Sequence, residues 1–248
     1  MGKRAGEAEN PEIQELDVIA AYDRIAPAFR ELSQARSAYL DAINSEILRR
    51  VRGAKSLIDV GAGDGLRALK IADQAGIRSI VLVEPSAGMR ELIPAGSEVW
   101  DARIETLPAS LRRFDVVLCL WNVLGHVPAG LRLEALRNLS RLCSEFGCLF
   151  LDVINRYNVA ECGPAVVLSR FFQDLTSPGD GDVSVRWRTG AGEVSTKGHV
   201  FMPSEMRNLL RNAGLSVTER VVLNYRTGRK RGLAWSGNLL YILKPEKQ

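Results

Sequence analysis

The residues with the clearest chemical potential lie between positions 59 and 84. Asp59-Val60-Gly61-Ala62-Gly63-Asp64-Gly65 follows the apolar pair Leu57-Ile58 and precedes a helical pattern. Glycines at alternate positions let a chain turn tightly and let a ligand approach the backbone. The helix after them starts with unpaired N–H groups. Glu84 closes the next apolar run, 21 residues after Gly63. An acid at such a strand end accepts hydrogen bonds from ribose hydroxyls. The spacing is GxGxG, and Leu66 occupies the place where a dinucleotide-binding GxGxxG needs its third glycine. Leu66-Arg67 also replaces the Gly-Lys-Ser/Thr of a phosphate-binding loop.

These residues need elements to position them. From 13 to 52 the apolar positions Leu16, Ile19, Tyr22 and Ile25, then Leu40, Ile43, Ile47 and Val51, recur at helical spacing. Pro27 divides this lead-in into two or more helices, and Gly53 stops the last of them. Ser56–Val60, Ile80–Glu84, Phe114–Leu120 and Cys148–Val153 are apolar runs of the kind buried on both faces of a parallel sheet, with a shorter strand at Glu98–Trp100. Helical patterns at Leu66–Gln74 and Leu131–Cys143 alternate with them, which predicts an α/β layered fold. Val183–Arg188 and Thr196–Phe201 alternate apolar and polar around Gly190-Ala191-Gly192, a hairpin inserted over 180–202. A helix over Pro203–Gly214 and strands at Val217–Leu223 and Gly237–Leu243 close the chain. At 248 residues one domain over 13–248 is expected, after a flexible tail at 1–12, because cores split only beyond about 250–300 residues.

Asp59-Val60-Gly61-Ala62-Gly63-Asp64-Gly65, Val83-Glu84-Pro85-Ser86 and Phe114-Asp115-Val116-Val117 together resemble the class I S-adenosylmethionine-dependent methyltransferases. The lead-in Tyr22-Asp23-Arg24-Ile25-Ala26-Pro27-Ala28-Phe29 is similar to that of the small-molecule and tRNA-modifying branches. The resemblance implies a Rossmann-like, mostly parallel sheet with helices on both faces, an antiparallel C-terminal strand pair and an N-terminal helical cap. It also implies S-adenosyl-L-methionine as cofactor and S-adenosyl-L-homocysteine as product. Gly61, Ala62 and Gly63 would lie beneath the methionine part, with Asp59 on its amino group or ordering the loop. Glu84 would hold the ribose, and Pro85 and Met89 would pack by the adenine. Arg103 stands where the family commonly has Asp, so adenine would be met by backbone groups of Arg103 and Ile104, with Asp101, two residues earlier, as the alternative. Tyr22 and Arg36 would close over the cofactor, Arg36 on its carboxylate.

Leu120, Trp121 and Asn122 follow a strand and are expected near the transferring methyl, because ligands of open α/β sheets bind beyond the carboxyl ends of strands. Trp121 would either face the sulfonium or an acceptor ring, or cap the strand as a core aromatic. His126 is the candidate general base, since its ordinary pKa is near neutrality; a structural role is its alternative. Tyr157, with Asp152, Asn155 and Arg156, would line the acceptor pocket. The donor is already activated, so a methyltransferase needs mainly orientation and a dry pocket.

Composition bounds the rest. Hydrophobic residues make up 46% and charged residues 25%, with net charge +4, the profile of a globular chain. Cys119, Cys143, Cys148 and Cys162 show no metal-ligand spacing, and only His126 and His199 could join them, so no metal is expected. The polar N-terminus and the lack of an apolar run near 20 residues point to a reduced cytoplasmic protein without membrane contact. Residues 204–248 hold nine Lys and Arg against three Glu, with the densest patch at Arg226–Arg231. The expected partner is a small-molecule methyl acceptor. An RNA base is the alternative that this patch would favour, and a non-catalytic binder of the cofactor is the alternative from another class.

Overall fold

In the computed structural model, which describes residues 16–108, 112–176, 181–189 and 192–246, the apolar runs become the strands of one twisted sheet. The expected tail over 1–12 and the Gly190-Ala191 part of the hairpin turn lie outside the described residues. The lead-in forms α1 (Val18–Ile25), α2 (Phe29–Gln34) and α3 (Ser37–Leu48). Then come β1 (Ser56–Val60), α4 (Leu66–Ala75), β2 (Ser79–Val83), α5 (Ala87–Arg90), β3 (Glu98–Trp100), β4 (Phe114–Cys119), α6 (Arg132–Leu142) and β5 (Cys143–Val153). The last part contains α7 (Val159–Cys162), α8 (Pro164–Thr176), β6 (Asp182–Thr189), β7 (Gly192–His199), α9 (Pro203–Asn212), β8 (Leu215–Leu223), β9 (Lys230–Arg231) and β10 (Asn238–Pro245).

The sheet order is β3-β2-β1-β4-β5-β10-β8-β9. β3 through β5 are parallel, while β10 runs antiparallel to both β5 and β8. This is a Rossmann-like α/β fold. The chain moves outward from β1 to β3 and then returns to add β4 on the other side of β1. Ligand clefts form at such a reversal, beyond the strands' carboxyl ends. Alternate side chains feed two cores. Ile58, Val60, Val83, Val117 and Leu149 pack with Leu136 and Leu139 of α6 and Met206 and Leu210 of α9. Leu57, Leu82, Leu118 and Phe150 pack with Tyr39, Ile43 and Ile47 of α3 and Ala68 and Ile71 of α4.

Several boundaries depart from the sequence pattern. β7 begins at Gly192, directly after the turn, and ends at His199; Phe201 leaves the hairpin, pairs by a bridge with Asn155 and is fully buried. Residues 159–176, which the pattern leaves without an element, form α7 and α8. α8 carries one apolar stripe at helical spacing, Leu168, Phe171, Phe172 and Leu175, and this stripe faces solvent, while Val167 is buried. No helix among the described residues is long and apolar enough to cross a membrane.

An ionic knot around the buried His199 ring fixes the hairpin to α6 and α9. The His199 ring bonds Asp182 through Nδ1 (2.7 Å) and Glu205 through Nε2 (3.0 Å). Arg132 bonds the same Asp182 at 3.2 Å, and both His199 and Arg132 lie against the Phe201 ring. The Asp182 carboxyl is held below its ordinary pKa, chiefly by the His199 hydrogen bond. His199→Ala leaves both carboxylates short of a donor and should cost about 2–4 kcal/mol of stability, read as a lower midpoint in urea unfolding.

Candidate cofactor and acceptor site

The site begins at the end of β1. Gly61, Gly63 and Gly65 all adopt left-handed backbone angles (φ +79°, +60° and +72°). The N–H groups of Gly61 and Ala62 both donate to the Val83 carbonyl, at 2.9 and 3.0 Å, which ties the loop to β2. A side chain at Gly61 would collide with Val123, and one at Gly63 would meet the Phe29 ring at 2.9 Å. The loop therefore has to be bare where it borders the cavity.

Glu84 braces this loop from the end of β2. Its Oε2 accepts from Gly63 N–H (2.8 Å) and its Oε1 from Ser86 N–H (2.9 Å). Each oxygen keeps a lone pair, enough for the two hydroxyls of a ribose. Burial pushes its pKa up to about 7, against the pull of those two N–H groups. Beneath the loop, burial likewise raises Asp59 to about 6, opposed by the Arg67 guanidinium.

The opposite wall is a strained turn after β4. Trp121 and Asn122 have φ of +60° and +63°, uncommon for side-chain-bearing residues and costly for a bulky one. Asp152 holds the turn. Its Oδ2 accepts from Trp121 N–H (3.1 Å), its carbonyl from Asn122 N–H (3.2 Å), and its Oδ1 from the Tyr39 hydroxyl of α3 (2.6 Å). Asn122 completes the clamp: its amide donates to the His199 carbonyl (3.2 Å) and accepts from Ile154 N–H (3.0 Å). The Trp121 indole N–H donates to the Tyr225 hydroxyl at 3.1 Å.

A deep cavity lies between these walls. Val18, Ile19, Tyr22 and Phe29 roof it from the lead-in. Gly61, Ala62, Gly63 and Arg67 border it on the β1 side, and Glu84, Pro85 and Ser86 on the β2 side. Arg103, Ile104 and Glu105 form one end, and Leu120, Trp121, Val123, His126 and Val127 the far wall. His126 Nδ1 donates to the Lys197 carbonyl (3.0 Å), so Nε2 is left to accept from the Tyr22 hydroxyl (3.2 Å). Burial lowers the His126 pKa and raises that of Tyr22 well above its ordinary value. The pair is a neutral imidazole holding a protonated phenol.

Of the residues singled out by the sequence, Tyr22, Gly61, Ala62, Gly63, Glu84, Pro85, Arg103, Ile104, Leu120, Trp121 and His126 thus border one cavity. Five others lie outside its lining. Asp59 is buried beneath the loop, and Met89 is packed with Ala21 and Ile25. Asn122 faces backward into the clamp. Arg36 is stacked on the Tyr225 ring, 4.4 Å from its centroid, which turns it away from the cavity. Tyr157 is drawn off by Asp174 on α8, to which its hydroxyl donates at 2.9 Å, beside Arg156 on the same carboxylate. Residues the sequence reading passed over are Phe29, Arg67, Glu105, Val123 and, on the hairpin, Trp187. The Trp187 ring stands 6.3 Å from those of Tyr22 and Trp121. An arginine on the first turn after the glycine loop was the available signal for Arg67.

A cradle that only glycine fits and a braced strand-end carboxylate suit a nucleoside cofactor. The chain belongs to the methyltransferase-domain family, whose model matches residues 26–220. It is an S-adenosylmethionine-dependent methyltransferase by that membership. No curated protein matches it. Among solved structures it is similar to an S-adenosylmethionine-dependent methyltransferase from Clostridium acetobutylicum (14% identity, 91% of this chain and 99% of that one, TM-score 0.62). It is also similar to a sugar N-methyltransferase from Streptoalloteichus (18% identity, 99% and 100%, TM-score 0.59). A third is the Burkholderia thailandensis 1,6-didemethyltoxoflavin N1-methyltransferase, solved with S-adenosylhomocysteine (15% identity, 97% and 94%, TM-score 0.59).

Two measurements probe this geometry. Asn122→Ala loses both clamp bonds and keeps the left-handed backbone cost, so it should destabilise by about 2–4 kcal/mol; Asn122→Gly should be about 1 kcal/mol milder. Glu84 holds its proton more tightly folded, near 7, than its ordinary 4.5. Its protonated form therefore stabilises the fold fully below about pH 4, and this contribution is lost as pH rises through 7. Glu84→Gln removes that dependence. In denaturant melts the variant should gain on the wild type between pH 5 and pH 8, by up to about 3 kcal/mol.

Proposed function

We propose that this enzyme transfers the methyl of S-adenosylmethionine to an oxygen, nitrogen or carbon atom of a small metabolite, and that residues 13–248 act as one methyltransferase unit. The observation that carries the reading is the enclosure of the cavity. The lead-in roofs it, and the hairpin closes its side through the Lys197 and His199 carbonyls. A second hollow shares Val18, Arg103, His126 and Val127 with the first and runs out past Lys197 and Arg132. A cofactor chamber that continues into a second, more open hollow leaves room for a small acceptor directly beside the cofactor. The basic Arg226–Arg231 segment supports this too, because part of its charge is already engaged: Arg226 pairs with Glu161 (3.2 Å) and Lys230 with Glu46 (2.8 Å), and neither borders the cavity. Four unpaired cysteines fit a reducing, cytoplasmic setting.

The bound cofactor supplies an activated methyl on a sulfonium. The chain's own residues orient and shield. Glu84 accepts the ribose hydroxyls, with Gly63 and Ser86 fixing its carboxylate. Phe29, Tyr22 and Trp121 present aromatic faces, which attract a cation in a site sheltered from water. His126 has both ring nitrogens engaged, so its role is to position Tyr22 rather than to take a proton. The acceptor atom must then be nucleophilic in its neutral form or lose its proton to water.

The test is a methyl-transfer screen with labelled S-adenosylmethionine against metabolite extracts and against total tRNA. Label in a small-molecule fraction, lost with Glu84→Ala, is the expected result. Label in tRNA would replace this reading with RNA methylation. Calorimetric binding of the cofactor with label in neither fraction would favour a non-catalytic binding protein.

A further inference from the structure

The loop that carries the basic run Arg226–Arg231 stands outside the cavity lining, yet it is firmly held. Asn224 Oδ1 accepts from the N–H groups of Arg226 (3.0 Å) and Thr227 (2.9 Å), and the Asn224 N–H donates to the Arg229 carbonyl (2.9 Å). Gly228 is left-handed (φ +65°), and a side chain there would collide with the Ala38 carbonyl of α3. Lys230 pairs with the buried Glu46 of α3 (2.8 Å), and Arg226 with Glu161 of α7 (3.2 Å). The one aromatic ring in this loop is Tyr225. Its hydroxyl accepts from the Trp121 indole N–H at 3.1 Å. The Tyr39 ring of α3 meets it in a T-shaped contact, with centroids 4.9 Å apart, and the Arg36 guanidinium lies 4.4 Å from its centroid.

We propose that Tyr225 is a positioning residue for cofactor binding: it acts through the Trp121 indole, which it holds at the cavity wall, and the basic loop is its mount. This rests on the cofactor assignment made above. Asp152 fixes the Trp121 backbone, but a backbone bond leaves the side-chain torsions free. The indole has a single polar atom, and Tyr225 takes its bond. Tyr39 links the two restraints, since its hydroxyl donates to Asp152 (2.6 Å) while its ring braces Tyr225. Phe29 meets the held indole from the roof, with centroids 5.6 Å apart, and lies against Gly63 of the glycine loop. A ring fixed before the ligand arrives need not be ordered on binding, and ordering one side chain costs about three- to tenfold in affinity. Arg226 and Lys230 thereby serve as moorings, a use of the basic run that needs no nucleic acid.

A double-mutant cycle, read by calorimetry with S-adenosylhomocysteine, tests this on the full chain. Tyr225→Phe keeps the ring and loses only the hydroxyl. It should bind S-adenosylhomocysteine about three- to tenfold more weakly than the wild type. Trp121→Phe removes the indole N–H. In that background Tyr225→Phe should change the affinity by less than about twofold, because the group it acts through is gone. Equal loss in both backgrounds marks a merely structural role and would overturn the proposal. So would an unchanged affinity in Tyr225→Phe alone. Should Trp121→Phe fail to fold, the indole N–H resonances of the four tryptophans decide in a nitrogen–proton NMR spectrum. One of them should move in Tyr225→Phe, and four unmoved resonances would overturn the proposal. A wild type that does not bind S-adenosylhomocysteine would instead sink the cofactor reading, and the proposal with it.

Discussion

The site depends on one strained turn. Trp121 and Asn122 stay left-handed because Asp152 accepts from both of their N–H groups while Asn122 clamps Ile154 and the His199 carbonyl. Asp152 also accepts from Tyr39, so a single buried carboxylate joins the lead-in, the end of β5 and the turn after β4. Burial raises its pKa to about 6, and the Tyr39 hydroxyl and Trp121 N–H work against that. The turn aims Trp121 across the cavity and leaves Val123 pressed on Gly61. Glycine at 61 and the strain at 121 are thus two sides of one contact.

The same economy holds on the β2 side. Glu84 braces the loop it would share with a ribose, and its raised pKa reflects how much water that arrangement excludes. Asp59, Glu84 and Asp152 are three buried acids near one cavity, all pushed upward by burial. Burying an acid is costly unless its oxygens are satisfied; Glu84 is satisfied by the loop it braces and Asp152 by the turn it holds, while Asp59 accepts no hydrogen bond.

The sheet and the glycine loop were legible because their causes are local. A buried parallel strand must be apolar throughout, and a loop that borders a ligand must be glycine, so Ser56–Val60 and Gly61–Gly65 announce themselves. Glu84 was legible through its fixed distance from the loop. Arg36, Met89 and Tyr157 were read as site residues by spacing or analogy, yet their surroundings depend on distant partners: Tyr225, the α1 core and Asp174. Trp187 was illegible for the same reason. Its place beside Tyr22 and Trp121 follows from the hairpin's contacts with Asn122, His126 and Arg132, which lie far from it in sequence.

His126 shows what residue type alone leaves open: the sequence offers it as a base or as a structural group, and its partners favour the second. A histidine after a strand end has the right pKa for a base, but only if a nitrogen is free and hydrated. Here one nitrogen is spent on the hairpin carbonyl and the other on Tyr22, and burial disfavours the imidazolium. Around that pair, Tyr22, Phe29 and Trp121 border the cavity with aromatic rings, and Trp187 stands against Tyr22 and Trp121, so four aromatic faces gather there. Three of these four lie on the lead-in and the hairpin, outside the parallel sheet.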